Sequence, residues 1–342
     1  MIERPPYWLE KLQVQVTVAA ALAAAYFLVW PVVRPGDPMG PMALLAAGTA
    51  RCIGLLAAAA CVLAGACAIL SISARPEGTM LAVLLGLGGL SLRSGSMRSI
   101  LWLRQGDLST LYWQMALEVL MLGAIVLAAV VVAAGARKVA GVLAGKWAWR
   151  DLLVALSDEQ KLAYLRLAGS DDGAKQGGGF LGGGFARMVV EHLGMAADRR
   201  EGRRMPAGDV LTRLALCFLV SAGITVAGVW LLARSFDRGQ TLFALLAGSF
   251  AGTLIAYQAF PTCSSVAAWA APLAAAVGFY VLGAVGAGGG EGAWMKVDPH
   301  YYALPIDWAT AGLGGAMLGY WSSLRMHEAK FWEHCEQQEQ GA

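Results

Sequence analysis

The chain has 342 residues, of which 58% are hydrophobic and 14% charged, and its mean hydropathy of +0.57 is too apolar for an ordinary water-soluble protein. A formal net charge of +3, with no basic run interleaved with aromatics, excludes a nucleic-acid-binding surface. Six cysteines without C-x-x-C or zinc spacing exclude a thiolate metal centre, and no pattern calls for a cofactor.

The class is all-α: a polytopic transmembrane helix bundle of about eight spans, with seven as the alternative, since a crossing needs about 20 apolar residues. Arg4 and Lys11 precede the first apolar run, 16–33. The segment Arg34-Pro-Gly-Asp-Pro follows it in place of a small-residue cleavage site, so an uncleaved first span is expected. Residues 5–15, with Trp8, form an amphipathic stretch suited to the inner membrane surface. The second run, 52–73, is rich in alanine. The third, 79–92, has only 14 residues before Arg93, a length at which a re-entrant segment competes with a full crossing.

The fourth run, 112–135, carries Glu118, the only acidic residue in its middle. A carboxylate within a span costs about 2.5–3.5 kcal/mol on insertion scales, so it needs a partner or a task. Gln114 lies one turn away on the same helix face, and Arg93 and Arg98 sit in the preceding connection. Glu118, Gln114, Arg93 and Arg98 are therefore the candidate residues, either for a cation or proton site or for a lock between helices. These four spans, residues 1–135, make the first membrane half.

Residues 136–209 make the one sizeable polar loop. Leucines from 152 to 167, with Ser157 and Gln160 spaced as a capping box, predict short helices, and the glycines from 169 to 184 predict a linker. No P-loop or dinucleotide pattern accompanies those glycines. The second membrane half, 210–324, has runs at 213–233, 241–259, 265–286 and 307–324. Gly248 with Gly252, and Gly315 with Gly319, allow close helix approach, within the bundle or in a homo-oligomer. A polar, aromatic connection, 298–307, precedes the last run, with Asp307 placed as a helix cap. The tail, 325–342, continues that helix. Its His327 and His334 are about 10 Å apart along it, too far to share one metal.

Twelve of the 26 Lys and Arg residues fall in 135–209, which places that loop in the cytoplasm by the positive-inside rule. Eight spans then put 17 basic residues inside and 7 outside, with Arg51 and Arg213 at span edges and both termini cytoplasmic. A shift of 162 positions aligns nine identities between 51–92 and 213–254, a faint repeat that would relate the two halves. Richness in Ala, Gly and Arg suggests a bacterial inner membrane.

All four histidines lie outside the apolar runs, and no H-E-x-x-H or paired aspartates occur. An enzyme is the least favoured class. The reading is a multi-pass membrane protein, a noncatalytic subunit or scaffold with partner contacts through 136–209 and 325–342. The rival reading is a secondary transporter or channel for a small solute or ion that uses Glu118.

Overall fold

The computed structural model describes residues 7–34, 40–45, 50–71, 76–143, 207–260, 265–288, 290 and 292–340, and among these every regular element is helical. With no water to satisfy backbone groups in hydrocarbon, helices are what such apolar runs must form. Helix α1 (Tyr7–Ala24) continues through a π turn (Ala25–Val29) into a last α turn (Trp30–Val33). Pro31 supplies no N–H, which removes an i→i−4 donor beside that π turn. Then come α2 (Ala50–Leu70), α3 (Pro76–Arg93), the short α4 (Met97–Leu103), α5 (Leu108–Leu143), α6 (Ala207–Leu232), α7 (Arg238–Ala259) and α8 (Val266–Gly286). Short 3-10 turns (Ala293–Lys296, Pro299–Tyr301) lead to an α turn (Pro305–Asp307), a π turn (Trp308–Gly312) and α9 (Leu313–Gln340). The predicted tail is thus a continuation of the last helix. The predicted helices and glycine linker of the polar loop lie outside the described residues.

Among the described residues six helices are long and apolar enough to cross a membrane, and α3 with α4, bent by 53°, adds a seventh only where the pair counts as one span. Hydrogen bonds show where the shorter α3 runs. At its start Thr79 accepts from Arg137 of α5 and shares a bond with Ser71. At its end Ser91 donates to Asp307. The eighteen residues of α3, four more than the run 79–92, give about 27 Å at 1.5 Å per residue, close to the hydrocarbon thickness, so α3 as a whole runs from one end of the bundle to the other.

The expected eighth run, 307–324, is helical but is not among the helices apolar enough to cross a membrane by composition, since Asp307, Thr310, the serines, the glycines and the aromatic residues all lower its hydropathy. It needs less apolarity because protein surrounds it. Asp307, Trp308, Thr310, Leu313, Ala316, Met317 and Tyr320 are all buried. It runs from the Asp307 end to the other, where Gln258 donates to the Ser323 hydroxyl at 3.0 Å.

Glycine sets the closest approaches. A Cβ on Gly252 would lie 2.6 Å from the Ser221 carbonyl oxygen of α6, and one on Gly319 would lie 2.5 Å from the Phe250 carbonyl oxygen of α7. Gly315 meets Leu246 in the same way. Both predicted glycine pairs therefore pack inside the chain. Gly89 does likewise for α3 against α1, where a Cβ would meet the Leu22 carbonyl oxygen at 2.5 Å. The helices related by the faint repeat are not packed alike: α6 and α7 touch along their length, while α3 packs chiefly on α1 and only sparingly on α2.

Candidate functional site

The helix connections 40–45, 94–107, 233–237 and 292–304 converge at one end of the bundle. The Gly95 N–H donates to the Gly40 carbonyl at 3.2 Å, and the Met42 N–H to the Ser94 hydroxyl at 2.7 Å. The Gly292 N–H donates to the Gln105 side-chain oxygen at 3.1 Å, and Phe236 packs on Tyr302 with ring centres 4.8 Å apart. These contacts make a folded cap over the helix ends.

At the base of the cap lies a clasp around Asp307, which is 0% exposed. Pro305 opens the helix, and Asp307 in its first turn reaches back so that Oδ2 accepts the Leu304 N–H at 2.9 Å. The other oxygen, Oδ1, takes the Ser91 hydroxyl at 2.7 Å and Arg238 Nη2 at 2.8 Å. Arg238 also donates through Nε and Nη2 to the Ser91 carbonyl and through Nη1 to the Gly95 carbonyl at 2.9 Å. One guanidinium therefore ties the start of α7 to the end of α3, to the α3–α4 joint and to the last helix. Such bidentate reach belongs to arginine and not to lysine. A small cleft lined by Ser96, Met97, Phe236, Thr241 and Tyr302 opens onto the Arg238–Asp307 pair.

Glu118 is also 0% exposed, and its Oε2 accepts the Leu45 N–H at 3.1 Å. Its Oε1 has no hydrogen-bond partner among the described residues, and neither do the Tyr112 hydroxyl and Trp308 Nε1. Residues 40–44 are buried without being helical, an arrangement tolerated at depth only within protein or around water. Glu118 stands 19 residues from Arg137 on α5, or about 29 Å at 1.5 Å per residue. That separation equals a hydrocarbon core, so with Arg137 at one boundary Glu118 reaches the other.

Above Glu118 the cap is aromatic. Tyr112 meets Tyr280 and Tyr301, Phe279 packs on Trp308 and His300, and the Tyr280 hydroxyl donates to the Ala303 carbonyl at 2.7 Å. Burial lowers the His300 pKa, against the opposing pull of Asp298. At the far end Arg137 donates to the Ser71 carbonyl at 3.1 Å and to the Thr79 hydroxyl, closing α2 and α3 onto α5.

Of the four residues singled out in the sequence, the structure does not gather a set. Gln114 is half-buried one turn from Glu118. Arg93 turns to Tyr26, donating to its carbonyl at 2.9 Å and lying over its ring, and Arg98 lies over Trp294. Neither arginine pairs with Glu118. The Arg238–Asp307–Ser91 clasp escaped sequence reading because its members lie as far as 216 positions apart. The only signals were an arginine and an aspartate each at the start of an apolar run. Among the described residues no group of His, Cys, Asp or Glu is placed to hold a metal ion. Comparison with known family models, curated proteins and solved structures found no match.

Proposed function

We propose that this chain is a noncatalytic subunit or scaffold of a membrane assembly, lying in a bacterial inner membrane with both termini and the 136–209 loop in the cytoplasm. The observation that carries this reading is what the buried charges do. Asp307 and Arg238 bind each other and three backbone segments, Arg137 holds two helices, and Glu118 receives a loop amide. Groups so engaged serve the fold, as polar clasps between helices do. The cap then faces outside, and partners meet the cytoplasmic loop and the tail 325–342.

A second reading, proton- or cation-coupled transport, rests on one observation: the buried Oε1 of Glu118, which has no hydrogen-bond partner among the described residues. Glu118→Gln separates the two. A scaffold glutamine still accepts the Leu45 N–H, so the variant keeps its thermal stability and complements a deletion strain as the wild type does. A coupling carboxylate has to change charge, so the same variant would fold normally and fail to complement, and that result would replace the first reading with the second.

A further inference from the structure

We infer that the short helix α4 lies along the polar boundary of the bilayer at the capped end, with Trp102 and Leu103 seated among the phospholipids there, and does not complete a bent crossing with α3. By Ser91, α3 has already run from beside Arg137 to the Asp307 clasp at the capped end. The bend at 94–96 is held from three sides by the Met42 N–H on Ser94, the Gly40 carbonyl on the Gly95 N–H, and Arg238 on the Gly95 carbonyl. A joint held in this way fixes the direction of α4.

The faces of α4 fit that placement. Met97, Ile100 and Leu101, at helical spacing, are buried against the bundle, while Trp102 and Leu103 are 56% and 71% exposed. Phe27, Leu28 and Leu92, at helix ends on the same capped side, are likewise exposed apolar residues. Arginines lying on aromatic rings mark the level: Arg93 over Tyr26 at 4.9 Å, Arg98 over Trp294 at 5.1 Å and Arg234 over Trp230 at 5.2 Å. All three belong to the capped end. Aromatic rings favour the headgroup layer, and guanidinium groups match phosphates in charge and shape, so the occupant is phospholipid and not a soluble protein.

The test is depth measurement by electron paramagnetic resonance in nanodiscs of phosphatidylethanolamine and phosphatidylglycerol. A spin label is carried on a keto amino acid introduced at position 102 or 103, which leaves the six native cysteines untouched. Leu127, exposed and about 15 Å along α5 from Arg137, provides the mid-bilayer reference, and exposed Asp298 the aqueous one. The expected ratio of oxygen to nickel-chelate collisions at 102 and 103 lies between the two references. A ratio at both positions equal to that at 127 would make α4 the second half of a bent span and overturn the inference. A ratio equal to that at 298 would lift α4 into water and overturn it equally.

Discussion

Arg238→Ala should be the most damaging single change at the capped end. It removes four hydrogen bonds at once and leaves Asp307, 0% exposed, with a negative charge answered only by the Ser91 hydroxyl and the Leu304 N–H. Breaking a buried pair on one side costs about 3–5 kcal/mol, because the remaining charge stays buried. The Arg238 side chain is only 18% exposed, so solvent screens little of this. Asp307→Asn keeps an acceptor for the Leu304 N–H and should cost less, about 1–3 kcal/mol. Combining the two relieves the stranded charge, so the double variant should be more stable than the sum of the single losses by about 0.5–3 kcal/mol. Reversible unfolding in mixed micelles, followed by tryptophan fluorescence, gives all four corners of the cycle. Losses that simply add, or an Arg238→Ala variant within about 0.5 kcal/mol of the parent, would refute the clasp.

Glycine packing predicts opposite outcomes at two sites. Gly252→Ala forces a Cβ to within 2.6 Å of the Ser221 carbonyl oxygen and should destabilise by about 1–3 kcal/mol, whereas Gly54→Ala, with nothing within 4 Å, should be neutral or slightly stabilising in the same unfolding assay. Glu118→Leu strands the Leu45 N–H and should cost about 1–3 kcal/mol, while Glu118→Gln should cost little, as thermal melts in detergent will show. For His300 the folded pKa is depressed, so its contribution to stability is complete above the free imidazole value of about 6.5 and is lost as pH falls through the folded value. Titration by histidine NMR should give a midpoint below about 6.5, and a midpoint above it would mean that Asp298 outweighs burial.

Much of the fold is legible from apolar run length alone. The segments 16–33, 52–73, 112–135, 213–233, 241–259 and 265–286 all became helices near those bounds, because in hydrocarbon the backbone has few alternatives. Run length fails where protein replaces lipid as the surroundings. The segment 307–324 is buried by its neighbours and tolerates Asp307, and 79–92 is lengthened at its start by Pro76, Glu77 and Gly78, which an apolar run leaves out. The glycine pairs were legible too, since little besides close approach favours Gly248 and Gly252 on one helix. The site was less legible. Glu118 stood out as a lone charge, but its partner is a backbone amide from 40–45, and no residue type announces an amide. Arg238 and Asp307 looked like ordinary ends of spans, and only folding brings Ser91 between them.

The central claim is that the membrane core serves to hold cytoplasmic segments for partner chains. Cross-linking in native membranes, followed by purification in mild detergent and mass spectrometry of the linked peptides, addresses it directly. The account predicts a partner chain in fixed stoichiometry, linked through lysines of 136–209 or through Lys330 in the tail. A chain that purifies alone, with cross-links only within itself, would contradict it.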